Sequence, residues 1–355
     1  MGRIDRRGFL STSAAAIAGT WFERTAFAGI RDPNGEYAGA VFQAGAPPLP
    51  EPGGFTIAVL PDTQHYSQCY PEQFLAQTRW IASQHKIRNI ACVLHLGDLT
   101  NLNTPAEWGV ARQAMCQLDG LVPYFMTLGN HDYSDFGECR DRTTLFNDYF
   151  PVADYRDRPH FGGVYDREPD RLKNSFHFFS AGGRGYLVLC LEFGPRADVV
   201  RWANQVVAKH PDLAAILVTH AYTYSDESRY DWKRYQDRQQ WNPHTYGVAH
   251  ATNQDVCDGE ELWEQLVSRH PNFVMTLNGH VLNDGLAHVS TATPSGRRIP
   301  QVLVNFQMKP NGGDGWLRLL EFRLNGRTVQ TYDYSPSLNL CNNSRQNRFA
   351  MSIPG

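Results

Sequence analysis

Five short apolar runs each lead into Asp, Asn or His, and nothing else in this chain constrains its fold as tightly. Phe55 to Leu60 leads into Asp62-Thr63-Gln64, and Ile90 to Leu96 leads into Gly97-Asp98. Val122 to Leu128 precedes Gly129-Asn130-His131-Asp132, Ala214 to Thr219 precedes His220, and Phe273 to Leu277 precedes Asn278-Gly279-His280. Runs of this length, rich in Val, Ile and aromatics, read as buried strands. In α/β folds ligands gather in the crevice beyond the carboxyl ends of such strands. Asp, Asn and His are also the side chains that hold hard and borderline divalent cations. Asp and Asn are ordinary turn residues after a strand, but turn chemistry gives no reason to choose His at two strand ends. Together the blocks predict a metal centre.

In this order the blocks resemble the signature of the calcineurin-like metallophosphoesterase superfamily: Asp-x-His, Gly-Asp, Gly-Asn-His-Asp/Glu, a lone His, then Gly-His-x-His. The resemblance runs from about Phe55 to His280 and departs twice, with Gln64 for the first-block His and Leu282 for the final one. It implies two divalent metal ions (Mn, Fe or Zn), bridged by Asp98 and roughly 3.5–4 Å apart. Asp62 and Gln64 would complete the first ion; Asn130, His220 and His280 would complete the second. Because Leu282 offers no donor, Asn283 or Asp284 is a candidate substitute ligand, although Asp284 beside Gly285 also reads as a plain turn.

The activity so implied is hydrolysis of a phosphate mono- or diester by a metal-bridged hydroxide. The substrate would be a small-molecule or lipid-derived phosphoester. His131 is not a ligand in this scheme; it would protonate the leaving alkoxide or steady the phosphoryl charge. Asn101, three residues after Asp98, is expected to orient His131, and Asp132 is grouped with them as catalytic. The altered positions admit a second reading, a family member that binds metal or phosphate without turnover. The presence of His131, a non-ligand with no structural reason to be there, favours catalysis.

Between these strand ends the pattern alternates. Glu72 to His85 reads as a helix, with Phe74, Leu75, Trp80 and Ile81 at helical spacing. Pro105 opens a second, Arg196 to Lys209 forms a third, and Gly259 to Arg269 a fourth. Strand pairs near Ser175 to Phe179 and Gly185 to Glu192 divide the chain into halves. Late runs at Gln301 to Phe306, Trp316 to Leu324 and Thr328 to Tyr332 are expected to complete a second sheet. The fold class is α/β with mixed sheets, arranged as the four-layer α-β-β-α sandwich that the resemblance also implies. Two long irregular insertions, 133–173 and 222–258, are expected to hang over the metal site. His65, Tyr133, Tyr222 and His250 are weaker candidates for contacting substrate.

The N-terminal Asp5-Arg6-Arg7-Gly8-Phe9-Leu10-Ser11, an Ala-rich segment and Ala26-Phe27-Ala28 resemble a twin-arginine export signal. That implies a signal peptide over 1–28, a partnership with twin-arginine export machinery, and a periplasmic or extracellular destination. Residues 29–53, with Pro47, Pro48, Pro50 and Pro52, read as a linker. Residues 54–335 read as the phosphoesterase domain and 336–355 as a C-terminal tail. A net charge of −3 and a pI near 6.5 leave no basic footprint for nucleic acid. No apolar run approaches the roughly 20 residues of a membrane span. The seven cysteines include no Cys-x-x-Cys pair, which argues against a zinc knuckle or redox motif.

Overall fold

All five apolar runs form strands, and their burial explains their composition. The computed structural model describes residues 35–355, so the signal-peptide reading of 1–28 lies outside the described residues. Residues 35–38 form a turn within the unit 1–38; Gly39–Gly355 is a second unit and holds the elements named below. Its eight-stranded sheet contains β1 (Phe42–Ala44), β2 (Phe55–Leu60), β3 (Ile90–His95) and β4 (Tyr124–Met126). The seven-stranded sheet contains β5 (Phe161–Val164), β6 (Ser175–Ala181), β7 (Arg184–Leu191), β8 (Ala214–Thr219), β9 (Phe273–Asn278), β10 (Leu286–Ala292) and β11 (Arg298–Val304). The chain then returns to the first sheet through β12 (Leu317–Phe322), β13 (Thr328–Ser335), β14 (Leu340–Asn342) and β15 (Ala350–Ser352). The strand orders are β1-β14-β13-β12-β2-β3-β4, with β15 on β13, and β10-β11-β9-β8-β7-β6-β5.

Helices cover the outer faces. α1 (Pro71–Gln84) and α2 (Pro105–Met115) bring Phe74, Leu75, Ile81, Trp108 and Met115 into one cluster with Ala58, Leu60 and Val93 of the first sheet. Thr104 and Glu107 close a capping box at the start of α2, with Pro105 in its first turn. α3 (Ala197–Lys209) and α4 (Gly259–Gln265) bring Val199, Trp202 and Leu262 against Leu187, Leu189 and Leu217 of the second sheet. Phe55 stacks on its cross-strand neighbour Phe322 at 4.4 Å; between the sheets it packs on Tyr186 at 5.7 Å, and Phe125 stacks on His177 at 4.4 Å. The layers therefore run helix, sheet, sheet, helix, as expected.

Three expectations about organisation need correction. Of the late runs only β11 joins the second sheet, while β12 lies antiparallel beside β2, with Leu320 opposite Ile57. β13 follows it into the same sheet. Arg318 of β12 and Asp333 of β13 stand opposite each other and form a fully buried bidentate pair at 2.7 and 2.6 Å. The segment 336–355 is not a loose tail. It supplies β14 and β15, and Asn347 Nδ2 donates to Asp333 Oδ2 at 2.7 Å. The proline-rich segment carries β1, paired with β14, and Arg88 donates to the carbonyls of Pro47 and Pro48 at 2.8 and 3.0 Å. Proline lacks an N–H but keeps its acceptor, so a Pro-rich stretch can still dock.

Candidate metal centre

β2, β3 and β4 run parallel in one sheet, and β8 and β9 run parallel in the other. The side chains that follow them meet. Asp62, Asp98 and His280 sit at φ of 24°, 49° and 77°, a region that side-chain-bearing residues seldom adopt and that concentrates at functional sites. Two glycines allow the close approach. A Cβ on Gly129 would collide with the Asp98 carboxylate, and one on Gly279 with that of Asp62. Backbone N–H groups then hold the carboxylates. His131 donates to Asp98 Oδ1 and His280 to Asp62 Oδ1, each at 2.9 Å. The second of these bonds crosses from one sheet to the other.

The imidazoles are fixed from behind. His220 Nδ1 donates to the Leu96 carbonyl at 2.7 Å, which leaves Nε2 to face the carboxylates. That atom lies 3.1 Å from Asp98 Oδ2 and 3.8 Å from Asp62 Oδ1, without hydrogen-bond geometry to either. His280 Nε2 donates to the Trp241 carbonyl at 2.8 Å, leaving Nδ1 as its lone-pair nitrogen. Asp98, His220 and His280 are all buried, with donor atoms within 4.8 Å of one another. The rings of Phe193, Tyr230 and Tyr246 stand 5.2, 6.0 and 6.1 Å from His280 and dry the imidazoles on that side.

The donor set fits a divalent cation on a specific observation. Asp62 Oδ2, Gln64 Oε1, Asn130 Oδ1 and His220 Nε2 are buried and have no hydrogen-bond partner among the described residues. Leaving one such atom unpaired costs about 1–3 kcal/mol, a cost that divalent cations held between these strand ends would relieve. Without a cation, the crowded charges displace one another's protonation. Burial pushes Asp62 up to about 8, a rise that His220 opposes and Asp98 reinforces. Burial would also raise Asp98, yet His220 and His131 hold it well below the usual carboxylate range. Burial disfavours a charged His220, but Asp98 and Asp62 outweigh it and push that imidazole up to about 9. His280 is held down to about 3 by burial and by His220, as a neutral ligand would be.

Asp62, Gln64, Asp98, Asn130, His220 and His280 thus follow the converging strand ends, and other candidates fall elsewhere. Asn283 and Asp284 are exposed: Asn283 Nδ2 donates to Ser225 Oγ at 2.9 Å, and Asp284 Oδ1 accepts the Leu286 N–H at 3.2 Å. Their side chains are thus engaged at an exposed turn. Asp132 is buried and spends its carboxylate on Leu99 N, Thr100 N, Thr100 Oγ1 and Gly129 N at 2.9–3.2 Å. Through these bonds it ties the loop after β3 to the loop after β4. The Asn101 amide turns away to Gln68 at 2.9 Å, and it is the Asn101 carbonyl that accepts from His131 Nδ1, also at 2.9 Å. Tyr133 and Tyr222 are fully buried in separate apolar clusters. His250 is exposed on the short helix Gly247–Ala251, with Gln254 as its neighbour. His65 is half-buried, and burial followed by the charge of His131 lowers its pKa. Sequence reasoning missed the Trp241 carbonyl and the cage of Phe193, Tyr230 and Tyr246; neither carries a motif.

A family model described as calcineurin-like phosphoesterase matches residues 55–288, and the chain belongs to that family. The chain is 30% identical over 289 residues to the uncharacterized protein YvnB of Bacillus subtilis (strain 168), a match covering 79% of this chain and 20% of that protein. The chain therefore spans about a fifth of the length of that relative. Similar solved structures include the purple acid phosphatase PPD1 from yellow lupin (Lupinus luteus) seeds, at 12% identity and a TM-score of 0.46, covering 86% of this chain and 55% of that one. GAP50, the anchor in the inner membrane complex of Plasmodium, is 11% identical with a TM-score of 0.44, covering 86% and 90%. The 5′-nucleotidase from Candida albicans is 13% identical with a TM-score of 0.41, covering 79% and 49%.

Proposed function

We propose that the protein hydrolyses a phosphate mono- or diester at this centre and that it requires divalent metal, Mn, Fe or Zn, to do so. The observation that carries the reading is the set of four buried, unpartnered donor atoms on Asp62, Gln64, Asn130 and His220, next to a histidine that is not one of them. Asp62, Gln64 and Asp98 would hold one ion, and Asp98, Asn130, His220 and His280 the other. When bound, such ions supply an activated water and a clamp for phosphoryl oxygens. The remaining work falls to the chain. His131 is tied by Nδ1 to the Asn101 carbonyl, which aims Nε2 outward; in the imidazolium form Nε2–H delivers a proton to the leaving alkoxide. His65 would be a neighbour of the incoming ester.

The test is turnover of bis-p-nitrophenyl phosphate and p-nitrophenyl phosphate by metal-stripped protein, before and after Mn²⁺ is added back. Metal-dependent release of nitrophenolate from either supports the reading. Tight metal binding with no turnover of any phosphoester would instead favour the non-catalytic alternative.

A further inference from the structure

We propose that the 222–258 insertion is built into the metal centre, with the Trp241 carbonyl acting as a positioning group that fixes the tautomer and angle of the His280 imidazole. This rests on the metal-centre reading above. The carbonyl reaches across 39 residues of sequence to take the Nε2–H of His280 at 2.8 Å. A carbonyl can only accept, so the proton stays on Nε2 and the lone pair stays on Nδ1.

The direction of that carbonyl is imposed from outside. Trp241 adopts φ of 62°, which a residue with a Cβ avoids unless its neighbours force it. Here the residues on both sides are pinned. Gln239 is buried; its Nε2 donates to Ser228 Oγ and the Arg229 carbonyl at 2.8 and 2.9 Å, and its Oε1 accepts the Asp231 N–H at 2.7 Å. The Gln240 carbonyl takes the Tyr230 hydroxyl at 3.0 Å. Asn242, also buried, donates to Asp258 Oδ2 at 3.3 Å and accepts the His244 N–H at 3.0 Å. The root of the insertion is fastened to the strand that delivers His280. Asn278, two residues before it, exchanges hydrogen bonds with the backbone N–H and carbonyl of Thr223 at 3.0 and 3.1 Å. A segment anchored at its root and on both sides of Trp241 holds that carbonyl as firmly as a strand would. Outer partners of this kind govern the affinity of a ligating histidine.

Two substitutions separate the backbone from the indole. Trp241→Gly and Trp241→Val both remove the ring, but glycine accepts a positive φ and valine does not. Metal-stripped proteins would be titrated with Zn²⁺ by calorimetry, and bound metal counted by mass spectrometry after gel filtration. We expect Trp241→Gly to bind as wild type does, and Trp241→Val to lose about 10–100-fold in affinity for one ion. Gln239→Ala should shift affinity in the same direction, with cooperative unfolding of the metal-free protein retained. Wild-type affinity in Trp241→Val, or an equal loss in Trp241→Gly, overturns the proposal. Should Trp241→Val not fold, Gln239→Ala decides alone: weakened binding supports the proposal and unchanged binding overturns it. Wild-type protein that takes up no Zn²⁺ would fail differently, removing the metal-centre reading and this inference with it.

Discussion

The Nδ1 atom of His131 lies 2.9 Å from the backbone carbonyl of Asn101, so the main chain, and not a neighbouring side chain, orients this imidazole. The consequence is a contrast between two substitutions. His131→Ala should lower kcat by roughly 10²–10⁴-fold on an ester with a poor leaving group, with metal content unchanged. The loss should be smaller with p-nitrophenolate, which needs little protonation. Asn101→Ala keeps the carbonyl and should leave kcat close to wild type. Equal losses of His131→Ala on both substrates would assign it an electrostatic role, and a large loss in Asn101→Ala would show that its amide matters after all.

Asp98 presents Oδ2 to His220 and Oδ1 to the backbone N–H of His131, and it is the carboxylate common to both proposed ions. Among the ligand changes, Asp98→Asn should therefore remove the most metal and the most activity. Chelator-treated wild type should be inactive and should recover when Mn²⁺ returns. Full activity in thoroughly stripped protein, verified by elemental analysis, is the result that would count against metal dependence.

Asp132 accepts three backbone N–H bonds, from Leu99, Thr100 and Gly129, at a position with no exposed surface. Asp132→Ala orphans all three, and each buried unpaired donor costs about 1–3 kcal/mol. The expected signature is a lower urea midpoint in the metal-free protein. A variant with unchanged midpoint but abolished turnover would return Asp132 to the chemistry.

How much of this could be read in the residues depends on whether side chains or partners decide the outcome. A strand buried on both faces must be apolar throughout, and its ligand must follow the last buried residue, so the strand ends before Asp62, Asp98, Asn130, His220 and His280 are legible. The sheet that β12 joins is not, because its pairing with β2 is a backbone ladder between strands far apart in the chain, and an apolar strand sequence does not name its neighbour. Tyr133 and Tyr222 look like pocket residues because they open long insertions, yet those insertions fold back into the cores and bury both rings. The Trp241 carbonyl leaves no trace in sequence at all, since every residue has one.

Glu192 anchors the first insertion and makes an acid-sensitive element. It is fully buried, 2.7 Å from Arg196 Nε, 3.5 Å from Arg142 Nη1 and 3.7 Å from Lys173 Nζ. Burial would raise its pKa, but Arg142, Lys173 and Arg196 outweigh it and bring the carboxyl down to about 2. A folded value below the unfolded one, about 4.3, means the stabilisation is complete above that pH and disappears as pH falls toward 2. Glu192→Gln leaves the largely buried Arg142 with no carboxylate, and Lys173 and Arg196 with Glu168 alone, among the described residues, and should destabilise the protein at neutral pH by about 3–5 kcal/mol. The gap to wild type should narrow steadily below pH 4. A gap that stays constant down to pH 2 would show that the ion cluster contributes nothing specific.

The two halves of the centre are unequal. Toward the first ion the chain offers the carboxylates of Asp62 and Asp98 and the neutral oxygen of Gln64, which is buried and unpartnered. Leu282 stands where relatives of this pattern carry a second imidazole, and Asn283 and Asp284 are committed to an exposed turn. Toward the second ion it offers two imidazoles, the Asn130 amide and the shared carboxylate. An all-oxygen set favours harder cations and, with a ligand missing, holds them less tightly. Titration of stripped protein should therefore resolve two classes of site, with activity following the weaker one. Leu282→His should tighten the weaker class and shift its preference from Mn²⁺ toward Zn²⁺, while Asp284→Ala should leave both classes in place. Two sites of equal affinity in the wild type, or one ion lost from Asp284→Ala, would mean that the chain has rebuilt the first site by a route outside the Gln64 and Asp62 carbonyl and carboxylate oxygens.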